Sequence, residues 1–321
     1  MDKKQLPEMK YVTTILVFLF LLACNHKAPY EYVLDEKDLV PEGITYSAKI
    51  DAFYLTSVTK SKIIAVDRTT GKQTDFITEN KFGYQPGVGI WVDDKRNQLH
   101  ALGGYYRLPD SLSSLYTFDL NTKKLLKRYN LSDEHFLNDM VVDTKGDMYL
   151  TDTKDASVFI LKQGSDSLEL FYKSEEIEFP NGIAISDDNS KLYVASMPLG
   201  IKVIDISSKK ILNETDTLDI STGIDGLEFR KGHLYGIQNG VSANGFNFRK
   251  LLLNDAQNQI IGAEIIDGGN PELYVPLTFC FAENRAVVIG NSNLGHLNQE
   301  TMEFSKSDTI PKTKLLVYEI D

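Results

Sequence analysis

The feature that most limits what this chain can fold into is a unit of about 45 residues that recurs six times. Each copy has an oxygen-bearing or glycine-flanked start, an apolar stretch, a turn and then a second apolar strand, often Tyr-rich. Pro41-Glu42-Gly43-Ile44-Thr45 leads to Asp51-Ala52-Phe53-Tyr54-Leu55, and Gly87-Val88-Gly89-Ile90-Trp91 leads to Gln98-Leu99-His100-Ala101. Leu137-Asn138-Asp139-Met140-Val141 leads to Asp147-Met148-Tyr149-Leu150, and Pro180-Asn181-Gly182-Ile183-Ala184 leads to Lys191-Leu192-Tyr193-Val194. Ile224-Asp225-Gly226-Leu227-Glu228 leads to His233-Leu234-Tyr235-Gly236, and a weaker sixth copy runs from Pro276-Leu277-Thr278-Phe279 into Arg285-Ala286-Val287. Starts at residues 42, 88, 138, 181, 225 and 278 are 46, 50, 43, 44 and 53 residues apart, the period of a propeller blade.

Turn residues such as Asp93-Asp94-Lys95, Thr144-Lys145-Gly146 and Ser186-Asp187-Asp188-Asn189 separate the first two strands of a unit. A third strand follows in most copies (Lys62 to Asp67, Ser114 to Asp119, Ser157 to Leu161, Gly200 to Asp205), then a more polar fourth (Gln73 to Thr78, Leu125 to Tyr129). Alternation is of period two, and no long amphipathic helix appears. The expected fold is therefore all-β: a six-bladed β-propeller of four-stranded antiparallel blades over residues 38–321. Two separate β domains would need a linker, and no Pro/Gly/Ser-rich stretch interrupts the repeat. Thr313 to Glu319 is expected to join the last blade, with Tyr30 to Leu34 as its outer strand, locking the ring.

Residues 1–23 lie outside that fold. Lys10 precedes the apolar run Tyr11 to Leu22, which has the length of a signal-peptide core and is short for a membrane span. The run ends in Leu21-Leu22-Ala23-Cys24, which resembles a bacterial lipobox. The expectation is a lipidated Cys24 that anchors the chain to a membrane of the bacterial cell envelope, followed by a tether over residues 24–37. Met9 offers a second start for such a signal. The other cysteine, Cys280, sits in the apolar run Leu277 to Phe281 and reads as a buried, inert thiol. No Cys/His cluster has zinc spacing. A net charge of −11, spread along the chain, gives no footprint for nucleic acid and reads as solubility. A closed ring can be stable as a monomer.

The first strand of each blade lines the central channel, and its first residue faces one mouth. Equivalent positions therefore converge although they are far apart in sequence. Here they include Glu42, Asn138, Asn181 and Asp225, all with side-chain oxygen, and three are followed by glycine, which lets backbone crowd a ligand. Oxygen donors without His or Cys suit one hard divalent cation, Ca²⁺ before Mg²⁺, Mn²⁺ or Zn²⁺. Two carboxylates nearly neutralise such an ion.

The phrases Pro180 to Ser186, Lys191 to Ala195 and Gly223 to Leu227 resemble the gluconolactonase family, which includes regucalcin and is distantly similar to paraoxonases and strictosidine synthases. The resemblance covers about residues 38 to 321. It implies that Glu42, Asn181 and Asp225 hold the divalent ion and that Asn138 contacts it or a water beside the substrate. It further implies hydrolysis of a lactone or related ester, with Asp225 as both ligand and general base. The family's sugar-lactone members carry an arginine two residues before the middle-blade asparagine; this chain has Phe136 there, after His135, so a polar clamp is replaced by an apolar ring. The paraoxonase-type histidine pair has no counterpart, since His100 lies inside a second strand. His135, Gln238, Asn239 and Asn291 are further candidates for contacting a small-molecule substrate at the mouth. Trp91 and residues 103–113, with Tyr105, Tyr106 and Arg107, are candidates for an aromatic lid. The competing reading is a non-catalytic propeller, stapled by its metal, that binds a glycan or protein.

Overall fold

The computed structural model describes residues 30–105, 107, 111–216, 219–240, 245–305 and 309–320. The signal segment, Cys24 and the start of the tether lie outside these residues, as does Tyr106 of the expected lid. Six four-stranded antiparallel sheets follow one another around a ring. Their innermost strands are Ile44–Ser47, Gly87–Asp93, Leu137–Val142, Pro180–Ile185, Ile224–Arg230 and Phe279–Ala282, in blades 1 to 6. Helical structure among the described residues is limited to three single 3₁₀ turns.

Blade 6 is assembled from both ends of the chain. Its order is Phe279–Ala282, Arg285–Ile289, Lys314–Glu319 and then Glu31–Val33 on the outside. Tyr32 pairs with Leu315, and the Leu34 N–H donates to the Thr313 carbonyl at 2.8 Å. The N-terminal strand thus satisfies an edge that would otherwise be open.

The apolar alternation of each blade is used against its neighbours. One buried cluster lies between each adjacent pair of blades, six in all, so the core is a ring of inter-blade layers. The layer between blades 6 and 1 joins Tyr32, Leu34 and Leu315 to Phe53, Leu55 and Val66. Cys280 belongs to that layer as a free, buried thiol.

The inner strands of blades 2 to 5 share a local irregularity. Ile224 pairs with Gln238 but Leu227 pairs with Gly236, so three steps on the inner strand match two on its partner. The same shift occurs between Gly87 and Ile90, between Leu137 and Met140, and between Pro180 and Ile183. Each is a β-bulge, which inserts one residue and re-aims the side chains around it.

Candidate metal centre

The bulges sit where the repeat begins, and they build the site. In blades 2, 4 and 5 the second residue after the bulge begins is glycine (Gly89, Gly182, Gly226), and Gly43 holds the matching place in unbulged blade 1; at each the next blade's backbone presses close. A Cβ on Gly182 would lie 2.3 Å from the Asp225 carbonyl oxygen, and one on Gly43 would lie 2.3 Å from that of Val88. Threonines bridge the blades at the same level. Thr56 Oγ1 accepts from the Gly43 N–H and donates to the Val88 carbonyl at 2.7 Å. Thr151 Oγ1 accepts from the Asp139 N–H and donates to the Asn181 carbonyl at 2.7 Å. The residues that carry side-chain oxygen are thereby held on fixed backbone.

Glu42, Asn138, Asn181 and Asp225 all line one cavity at the channel, together with Asp139, Glu228, Trp91, Met140, Ile183, Leu227 and Thr278. Asp139 and Glu228 did not stand out in the sequence. Asp139 occupies the place that glycine takes in the other bulged blades. Its Oδ1 accepts from the Met140 N–H at 2.8 Å and its Oδ2 from the Ile183 N–H of blade 4 at 3.2 Å. Glu228 lies three residues beyond Asp225. In an unbroken strand the two would point to opposite faces; the bulge between Ile224 and Leu227 brings them to the same one.

Four carboxyls and two amides face this space, and no Lys, Arg or His is among the described residues that line it. The electrostatic result is uniform. Burial pushes the Glu42 carboxyl up to about 8, helped by the charges of Asp225 and Asp139. Burial takes Glu228 to about 8, again with a contribution from Asp139. Asp139 rises to about 7 through burial, against the pull of its two backbone donors. Asp225 rises to about 7 through burial; the hydrogen bond from Asn239 opposes the rise, Asp139 adds to it, and Asn181 opposes it. Such a set is short of positive charge. Its donors are all hard oxygens, which fits Ca²⁺ or another hard divalent cation held by Glu42, Asp225, Asn181 and Asn138, with Asp139 and Glu228 close by. The free volume is about 30 Å³, enough for an ion with a water or two and too small for a sugar lactone.

The other candidates fall elsewhere. Asn239 does not face the cavity; its Nδ2 donates to Asp225 Oδ2 at 2.5 Å and to the Pro276 carbonyl at 2.7 Å, so it orients that carboxylate. Gln238 is fully buried in blade 5, donating to the Thr222 carbonyl and accepting from Asn247 and Arg249, and has no face for a ligand. Asn291 is spent on backbone, accepting from the Lys314 N–H and donating to the Lys312 carbonyl. His135 does not line the cavity; its Nδ1 lies 2.5 Å from Asp152 Oδ2 and its ring is edge-on to Phe159. Strand-end amides that look free in sequence are commonly consumed by the turn itself, and that is the case for Gln238 and Asn291. Phe136 is 3 % exposed, in the layer between blades 2 and 3, with its ring edge-on to Tyr105. Tyr105 is itself buried against Val40, Val58 and Leu297 and hydrogen-bonded to Gln299. Trp91 lines the cavity from within, not as a lid.

A closed six-bladed ring with hard oxygen donors converging in its channel defines a propeller built around a cation-ready axis. The chain belongs to the SMP-30/Gluconolactonase/LRE-like family, whose model matches residues 40–231. Among solved structures, it is similar to the major allergen Mala s 1 of Malassezia sympodialis (TM-score 0.69, 13 % identity, 91 % of this chain and 96 % of that one). It is also similar to a calcium-binding protein, regucalcin, from Agrobacterium tumefaciens (TM-score 0.60, 13 % identity, 91 % and 97 %). A luciferin-regenerating enzyme matches with TM-score 0.59 and 13 % identity over 87 % of this chain and 91 % of that one. A comparison with curated protein sequences finds no match. At these identities the structural matches carry the fold alone.

Proposed function

We propose that this protein is a divalent-cation-dependent hydrolase of a lactone or related ester, anchored to the bacterial cell envelope through a lipid on Cys24. The observation that carries the catalytic half of this reading is the convergence of Glu42, Asn138, Asn181 and Asp225 from four blades on one small cavity with no basic side chain among its described lining residues. Family membership supports the reaction class. Glu42, Asn138, Asn181 and Asp225 would hold a divalent cation there, which when bound would supply Lewis acidity toward the substrate carbonyl oxygen and the negative charge developing on it.

The chain's own residues do the rest. Asp225 accepts a proton from the attacking water, whose oxygen bonds to the carbonyl carbon. The acyl C–O bond then breaks, and the ring oxygen leaves as an alcohol carrying the proton. Asn239 and Asn181 keep the Asp225 carboxylate aimed by hydrogen bonds. Because the cavity has room for little more than an ion, the body of the substrate lies outside the mouth. The surface that would receive it is a separate, mainly apolar groove with Phe179 (51 % exposed), Met197, Pro198 and Thr222, flanked by Glu178 and Asp219. Phe179 stands two residues before Asn181, which links this groove in sequence to the donor set. That surface suits an aliphatic or aryl substituent better than a polyhydroxylated ring.

The test is a screen of aliphatic, aryl and sugar lactones and simple esters with the full-length chain, stripped of metal and reloaded with Ca²⁺, Mg²⁺, Mn²⁺ or Zn²⁺. Cation-dependent turnover that disappears in Asp225→Asn is expected. No turnover with any ion, alongside a cation-dependent rise in melting temperature, would instead favour the second reading, a metal-stapled binding propeller. The burial of Phe136, where sugar-lactone relatives place an arginine, is the observation on that side. For the anchor, Cys24→Ser is expected to move the protein from the membrane to the soluble fraction; a variant that stays with the membrane would contradict lipidation.

A further inference from the structure

At the end of blade 3 where the inner strand begins, but not lining the channel cavity, His135, Asp152 and Asp155 each place a donor atom within 4.8 Å of the other two. Asp152 has no exposure at all. It closes the second strand of the blade, and its Oδ1 already accepts from the Phe136 N–H at 2.9 Å. Its Oδ2 faces His135 Nδ1. Asp155 sits in the tight hairpin that follows and is partly exposed, as is His135. The group therefore has a buried floor and an open side.

A separate observation points to the same spot. Ser157 is paired directly with Asp152 across the ladder, so the two side chains stand on the same face of the sheet. Its hydroxyl is fully buried and has no hydrogen-bond partner among the described residues. Buried hydroxyls are ordinarily satisfied, and one left over beside a buried carboxylate marks room for something that donates positive charge or accepts an O–H.

We propose that His135, Asp152, Asp155 and Ser157 form a second cation site, separate from the channel and of different chemistry. An imidazole nitrogen with two carboxylates and a hydroxyl selects a borderline divalent transition ion such as Zn²⁺, Mn²⁺ or Co²⁺ over Ca²⁺. In this structure the positive charge at the site comes from Lys173, whose ammonium lies 2.5 Å from Asp155 Oδ1. Lys173 is half exposed and can return to water when an ion takes its place. The ion would tie the loop before the inner strand, which carries His135, to the hairpin between the second and third strands. It would thus brace the blade that presents Asn138.

The experiment uses the full-length chain with the channel disabled by Glu42→Gln/Asp225→Asn, titrated with Zn²⁺ against a chromophoric chelator and with Co²⁺ by visible absorption. One tight equivalent of Zn²⁺ is expected, weakened at least tenfold by His135→Gln or Asp155→Asn and strengthened by Lys173→Met, which removes the competing ammonium. The gain in Lys173→Met separates a metal site from a hydrogen bond that merely locks the loop. Should the double variant fold poorly, wild-type protein saturated with Ca²⁺ serves as the background. No Zn²⁺ bound in either background, or affinity unmoved by His135→Gln and by Lys173→Met, overturns the proposal.

Discussion

Blades 1, 3, 4 and 5 place Glu42, Asn138, Asn181 and Asp225 at the start of the repeat, while blades 2 and 6 place Val88 and Thr278 at the same register. The first group delivers its side chains to the channel cavity. Val88 does not reach it: the side chain is fully buried between blades 2 and 3 with Leu102, Leu115 and Met140. Blade 2 contributes Ile90 and Trp91 from deeper in the strand, and blade 6 contributes Thr278 and Phe279. One backbone position thus serves two ends, a ligand on one side of the ring and packing on the other. The candidate site is lopsided, and blades 2 and 6 act as its more apolar wall.

The largest effect expected from this asymmetry is on chemistry. Asp225→Asn should lower cation-dependent lactone hydrolysis by about 10²-fold or more, the scale of a general base, with the circular dichroism spectrum kept. Equal turnover in variant and wild type would remove Asp225 from the role assigned to it.

A second effect concerns pH. The four channel carboxyls have folded-state values near 7 to 8, above the ordinary range of Asp and Glu near 4. Between those limits the folded chain holds more protons than the unfolded one, so stability falls as pH rises. The metal-free protein should therefore melt at a lower temperature at pH 8 than at pH 5.5, and a hard divalent cation should restore most of the loss at the higher pH. Glu228→Gln should flatten the metal-free profile. A profile unchanged by Glu228→Gln would mean that this carboxyl is not part of the coupled set.

Third, Gly182→Ala forces a Cβ against the Asp225 carbonyl. It should cost about 1–3 kcal/mol in denaturant unfolding, as overpacking does, and should weaken cation binding as well, because it displaces the blade that carries Asp225. Val88→Asn probes the other side of the comparison. It should cost about 1–3 kcal/mol for a buried amide without a partner and yield no gain in cation affinity. A gain would show that blade 2 can be recruited to the site. The smallest effect is expected from Phe179→Ala, which should raise KM a few-fold for apolar lactones and leave kcat unchanged, since it trims uniform binding.

Much of this protein was legible before any coordinates. The six-fold repeat carried the architecture, and the terminal strands Tyr30 to Leu34 and Thr313 to Glu319 declared themselves as partners because one blade was short of strands. The register rule, first residue of first strand, brought Glu42, Asn138, Asn181 and Asp225 together from positions up to 183 residues apart. The separate expectation that strand-end amides contact a ligand failed for Gln238 and Asn291, because a polar residue at a strand end looks alike in sequence whether it meets solvent or an unpaired backbone group.

What the sequence determined by itself is whatever depends on local periodicity: strands alternate with period two, turns interrupt them, and units recur at a blade's length. Parity across a bulge is not local. The extra residue between Ile224 and Leu227 is set by the fit of blade 5 to its neighbours, and it turns Glu228 from the face opposite Asp225 to the same face. Asp139, in a glycine position, likewise gains its meaning only when the Ile183 N–H of blade 4 comes within reach. The number of carboxyls in the channel, and the positive charge they demand, was decided by tertiary structure, because only ring closure takes all four out of water together.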